Sequence, residues 1–156
     1  MQMRLEAILL PTSSVARTKT FYESLGWRVE ADESVDDLRL VQMTPPGSAC
    51  AIIFGVGITS ASPGSVRGLL LGVTDIEAAR ADLRARGADV GEIFHDSPGT
   101  VPHVDPRYHA PGLDPDRRGY ASFALFTDPD GNEWQLREIA SALDSPRPGQ
   151  PRGVYQ

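Results

Sequence analysis

Three histidines, His95, His103 and His109, stand eight and six residues apart in a stretch that also holds Asp96 and Asp105. Imidazole suits both zinc binding and proton transfer near neutral pH. No local zinc motif has this spacing, so we read the histidines as acids, bases or hydrogen-bond donors toward a ligand. His95 is favoured for proton transfer because it stands nearest a strand end, and no metal ligand is assigned.

A second cluster of candidate ligands is "FTDPDGNEWQL", residues 126–136. A calcium loop of the EF-hand type wants oxygen ligands at positions 1, 3 and 5, glycine at 6 and glutamate at 12. Asp128, Asp130 and Asn132 fit, but Gly131 comes at position 4 and Ile139 at position 12. The calcium reading fails. Pro129 and Gly131 instead suit a tight turn, with Asp128 and Asp130 as turn formers between two apolar strands. Alternation along the second strand puts Glu133, Gln135 and Arg137 on one face and Trp134 and Leu136 on the other. Glu133 is read as a second acid–base group, and Gln135 and Arg137 as ligand contacts, joined by Phe126, His103, Tyr108 and His109.

The elements that must position these groups recur. "LLPTSSVARTKTFYESLGWRV" (9–29) aligns with "LLGVTDIEAARADLRARGADV" (70–90) at an offset of 61 residues. Each copy reads as an apolar strand, a polar cap, a helix of about three turns and a glycine stop. Thr74 with Glu77 reads as a capping box, and Phe21 and Tyr22 as core anchors. "PPGSACAIIFG" (45–55) resembles "DPDGNEWQLRE" (128–138) with Gly47 meeting Gly131, an offset of 84, so the second copy carries about 23 extra residues, within 91–119. Proline and glycine make this insertion a loop rather than an element, and its length suggests a lid. Each half is then a βαβββ module. The expected fold is α+β, one domain over 1–142, with module one at 1–62 and module two at 66–140. The tail 143–156, rich in proline, is expected to be disordered.

Composition narrows the function. A net charge of −6 without a basic stripe argues against nucleic acid. No apolar run reaches a membrane span, and "MQMRLE" is not a signal peptide. Cys50 is the only cysteine, which agrees with a reducing cytoplasm; within "ACAIIF" it reads as a buried structural thiol. No nucleophilic triad is apparent, since Ser122 lacks a glycine elbow.

Taken in order, "FYESLGW", "GVTDIEAARADLRARGADV" and "DPDGNEWQLREI" resemble the vicinal oxygen chelate superfamily, the glyoxalase/bleomycin-resistance/dioxygenase group, over residues 4 to 139. The resemblance implies a cup-shaped sheet around a cavity, commonly with a divalent metal held by four ligands. Those positions fall here at Ala7, Ala51, Gly68 and Gln135, so no cofactor is expected. Three functions follow from the resemblance. The first is a metal-independent protein that sequesters an antibiotic-like or aromatic metabolite. The alternative is a metal-free isomerase, lyase or cyclase using His95, Glu133 or Arg137, and a metal-dependent glyoxalase or dioxygenase comes third. A cytoplasmic homodimer with a small organic ligand is the expected setting.

Overall fold

The computed structural model describes residues 1–97 and 101–139. Pro98 and the tail 143–156 therefore lie outside the described residues. The chain divides into two compact units. The first holds Met1–Arg67, Arg86–Ala88 and Thr127–Glu133; of the described residues, the second holds Gly68–Ala85, Asp89–Phe126 and those from Trp134 to Ile139.

In the first unit the strands β1 (Ala7–Leu9), β2 (Arg28–Val35), β3 (Leu38–Thr44) and β4 (Ala51–Val56) form one sheet in the order β1-β4-β3-β2. Helix α1 (Val15–Ser24) starts at Ser14, whose hydroxyl accepts from the Arg17 amide, and the chain leaves it through Gly26 at φ +85. Val15, Thr18, Tyr22 and Leu25 form its buried face. Tyr22 stacks near Trp27 and Phe54, with ring centroids at 4.7 and 6.3 Å. It is the core anchor the sequence suggests, while Phe21 is only half-buried. Cys50 differs from its reading: it precedes β4 in the turn and is half-buried, because the apolar run turns inward only at Ala51.

The turn at Asp128–Asn132 belongs to this first unit. Gly131 takes φ +97 and its amide donates to the Asp128 carbonyl over 3.0 Å. The Asp128 carboxylate is buried and accepts from the Asp130 and Asn132 amides, the Asn132 side chain and the Tyr22 hydroxyl. Asp130 accepts from Thr12, from the amide and hydroxyl of Ser13, and from Arg17 at the start of α1. Burial works against its ionisation, but these donors outweigh it and hold its carboxyl below the ordinary range. The acidic stretch is thus a knot that fastens the hairpin tip to a helix start. At Gly64 a Cβ would stand 2.0 Å from the Asp130 carbonyl oxygen, so no side chain fits against this knot.

The second unit repeats the plan. Strands β5 (Leu69–Val73), β6 (Phe94–His95), β7 (Ala110–Pro111), β8 (Ser122–Thr127) and β9 (Glu133–Glu138) run in the order β5-β9-β8-β6-β7. This is the order of the first sheet with one edge strand added. Helix α2 (Ile76–Ala85) lies 61 residues after α1, as the repeat requires. Its cap is Asp75, which accepts from the Ala78 amide, so the capping box at Thr74 is corrected by one residue. The buried Glu138 accepts the Ile76 amide as well, stabilising the same helix start. Gly87 takes the left-handed conformation after the helix, at φ +98.

The insertion is also corrected. It contains β6, β7 and a 3-10 turn at Pro106–Tyr108, because Phe94 and His95 pair with Pro111 and Ala110 and then with Phe123 and Ser122. Backbone pairing overrides the prolines, with Pro111 on an edge strand where a missing N–H is tolerated.

Candidate functional site: one face of β9 and the histidine insertion

Burial along β9 alternates. Trp134, Leu136 and Glu138 are buried, while Glu133, Gln135 and Arg137 are half-buried on the opposite face. Phe126 stacks near Trp134 at 6.4 Å and is 2% exposed, so it joins the buried face and not that of Gln135 and Arg137. Gln135 pairs with Leu70 on β5, and Leu70 remains 40% exposed. The Gln135 Nε2 atom is buried and has no hydrogen-bond partner.

Arg137 lies over the Tyr120 ring at 4.7 Å from its centroid. Tyr120 is a residue that sequence reasoning passed over. It sits at φ +62, a left-handed conformation that is rare for a bulky side chain, and its amide donates to the Glu138 carbonyl. Nothing in "RRGYAS" signals this, because glycine is the residue normally read as left-handed. Arg117, at φ +50, pairs with the Glu138 carboxylate.

The insertion gathers most of the remaining candidates. His103 donates through both its amide and its Nδ1 to the Asp96 carboxylate, each over 2.8 Å. Burial opposes ionisation of Asp96, but the His103 and Ser97 amides and the His103 ring prevail and hold its carboxyl down to about 2. The His103 ring stacks on Tyr108 at 4.1 Å, and Arg107 covers Tyr108. His109 stacks on Phe94 at 4.2 Å and donates Nε2–H to the His103 carbonyl. His95 faces the Gly112 carbonyl through Nδ1, which must therefore carry the proton, so Nε2 is the atom left to accept one. Nearby, Asp114 is fully buried and held at about 2, chiefly by the Arg118 side chain against the effect of burial.

The metal positions of the resemblance can now be placed. Ala7 and Ala51 are direct partners on β1 and β4. In the second sheet the partner of Gln135 is Leu70 and not Gly68, which lies just before β5 at φ +81. The register is therefore two residues off the count made from the repeat. Neither pair fits a divalent cation: the first sheet offers two methyl groups, and the second an isobutyl group and a neutral amide. Among the described residues, no three His, Cys, Asp or Glu side chains are grouped so as to hold one elsewhere.

Comparison with known proteins agrees with this architecture. An antibiotic binding protein, TnmS3 from Streptomyces sp. CB03234, superposes with a TM-score of 0.65 at 28% identity, covering 89% of this chain and 98% of that one. A glyoxalase/bleomycin resistance protein from the same organism gives 0.60 at 29% identity, covering 85% and 97%. A superfamily member from Sphaerobacter thermophilus DSM 20745 gives 0.62 at 24%, covering 88% and 98%, and speaks for the fold alone. No curated protein matches in sequence. The superfamily profile matches residues 4–136, spanning both sheets, both helices and the Asp128 knot. With its two repeated sheet-and-helix units, the chain belongs to the Glyoxalase/Bleomycin resistance protein/Dioxygenase superfamily.

Proposed function

We propose that this protein binds a small organic molecule, an antibiotic-like or aromatic metabolite, without a metal ion, and sequesters it. The observation that carries the reading is the Ala7–Ala51 strand pair, two methyl groups at positions where the family resemblance implies metal donors. The likeness to an antibiotic binding protein at 28% identity supports the same class of ligand. His103, Tyr108 and His109 in the insertion supply stacking surface and polar atoms for recognition, and Gln135 and Arg137 fix orientation. The protein works as a cytoplasmic homodimer. Its sheets end in the edge strands β1, β2, β5 and β7, which a second copy can cover.

A metal-free lyase or isomerase is the second reading. The Asp96–His103 pair favours it, since a carboxylate on Nδ1 leaves Nε2 as a base, with His95, Glu133 and Arg137 as further groups. A thermal-shift screen of aromatic natural products, followed by a turnover assay on each hit, separates the two. Saturation at 100 times the dissociation constant corresponds to about 2.7 kcal/mol of added stability. Binding without product formation supports sequestration, and turnover supports the enzyme. A screen in which no aromatic compound shifts the transition overturns both.

A further inference from the structure

Buried polar atoms almost always find a partner. Among the described residues two side-chain atoms form no such bond, Thr44 Oγ1 and Gln135 Nε2. The Thr44 hydroxyl, though short of a well-formed bond, stands near enough to the Glu30 carboxylate to join Arg28 in lowering its pKa. Gln135 Nε2 is the other. A second feature coincides with it. Left-handed backbone at a non-glycine residue is costly and gathers at functional sites. At Tyr120 it holds the ring beneath Arg137, two residues along the strand from Gln135. Side chains two apart on a strand emerge on one face about 6.6 Å from each other. Leu70, 40% exposed, is the strand partner of Gln135 on β5.

We infer that this face takes the carbonyl oxygen of a planar, largely apolar ligand. Gln135 Nε2–H donates to that oxygen, and Leu70 receives the ring system. Arg137 favours an electron-rich carbonyl, and Tyr120 is the residue that positions Arg137. The inference rests on the small-molecule reading above and adds the chemical class: an aromatic ketone or related conjugated carbonyl compound. An unpartnered amide gains most from an acceptor, because the donor has already lost its water.

Two probes isolate the carbonyl, 9-fluorenone-2-carboxylate and fluorene-2-carboxylate, which share skeleton and charge and differ in one oxygen. Calorimetric titration of the intact protein should show the fluorenone bound about tenfold more tightly, the worth of one such hydrogen bond. In Gln135→Leu the two probes should bind equally, while the variant melts higher than wild type because the orphan donor is gone. Gln135→Met gives the same comparison if the leucine variant does not fold. Tyr120→Leu should reduce fluorenone affinity, and Tyr120→Phe should restore it. Equal binding of the two probes by wild type overturns the inference and leaves the small-molecule reading standing. So does a fluorenone preference that survives loss of Gln135. If neither probe binds, the inference falls, and the wider screen alone decides the reading beneath it.

Discussion

The hydroxyl of Tyr22, on α1, donates to the carboxylate of Asp128 over 2.9 Å, and both residues are buried. They are 106 positions apart in the chain. The bond closes a contact between a helix in the first repeat and the turn between β8 and β9 in the second. Removing one side of a buried bond costs more than the bond itself contributes.

Tyr22→Phe leaves the Asp128 carboxylate with its three donors from Asp130 and Asn132. It should lower stability by about 1–2 kcal/mol. Asp128→Ala removes the acceptor shared by the Tyr22 hydroxyl, the Asp130 and Asn132 amides and the Asn132 side chain, and should cost about 3 kcal/mol or more. Urea denaturation should show a lower midpoint with an unchanged slope in both. A midpoint within error of wild type for Asp128→Ala contradicts the knot.

Asp96 and Asp114 each titrate near 2 when folded, against an ordinary value of 3.8. A lowered carboxyl contributes stability that is fully present above its unfolded value and is lost as pH falls through the folded one. The loss should therefore fall between about pH 4 and pH 2. Asp114→Asn should be less stable than wild type at neutral pH, and the gap should narrow through that window. A gap that stays constant to the acid end is the opposing result.

Metal content follows from the residue types at the family's ligand positions. Protein purified without chelator should contain no stoichiometric nickel, zinc, iron or manganese by elemental analysis, and EDTA should leave its melting temperature unchanged. One metal per chain, lost on mutating Gln135, would reverse the assignment.

Asp96 holds the Ser97 and His103 amides and the His103 ring. Asp96→Ala should speed hydrogen exchange at His103 while leaving exchange in α1 and β4 unchanged. Uniform acceleration across the chain would instead make Asp96 part of the global core.

Assembly is tested by sedimentation. A species of about twice the 16.9 kDa chain mass is expected at tens of micromolar. A lone 16.9 kDa species there speaks against the dimer.

Much of this molecule is legible in its sequence because the repeat carries the information twice. The glycine after each helix, the offset of 61 and the alternation along β9 all reflect local rules of cap and period, which leave marks in composition. What escapes are features set by distant partners. Pairing of Phe94 and His95 with 110–111 makes strands where proline and glycine suggest loop. The left-handed backbone of Tyr120 belongs to no residue-type preference. The role of "DPDGN" is half visible: the turn can be read, but its bonds to Thr12, Ser13 and Tyr22 are made across more than a hundred residues of chain.

The two-residue difference in register between the Ala7–Ala51 and Leu70–Gln135 pairs has a bearing on how the halves diverged. If one half arose as a copy of the other, strands in the copy could slide only in even steps. A slip of two preserves which side chains face the helix, whereas a slip of one would exchange Gln135 for Trp134 or Leu136 and turn the sheet inside out. Descent by duplication thus carries a parity rule. Length changes that obey it are silent, and those that break it must be absorbed elsewhere, as the long excursion between β6 and β8 absorbs its own within a loop and an added edge strand.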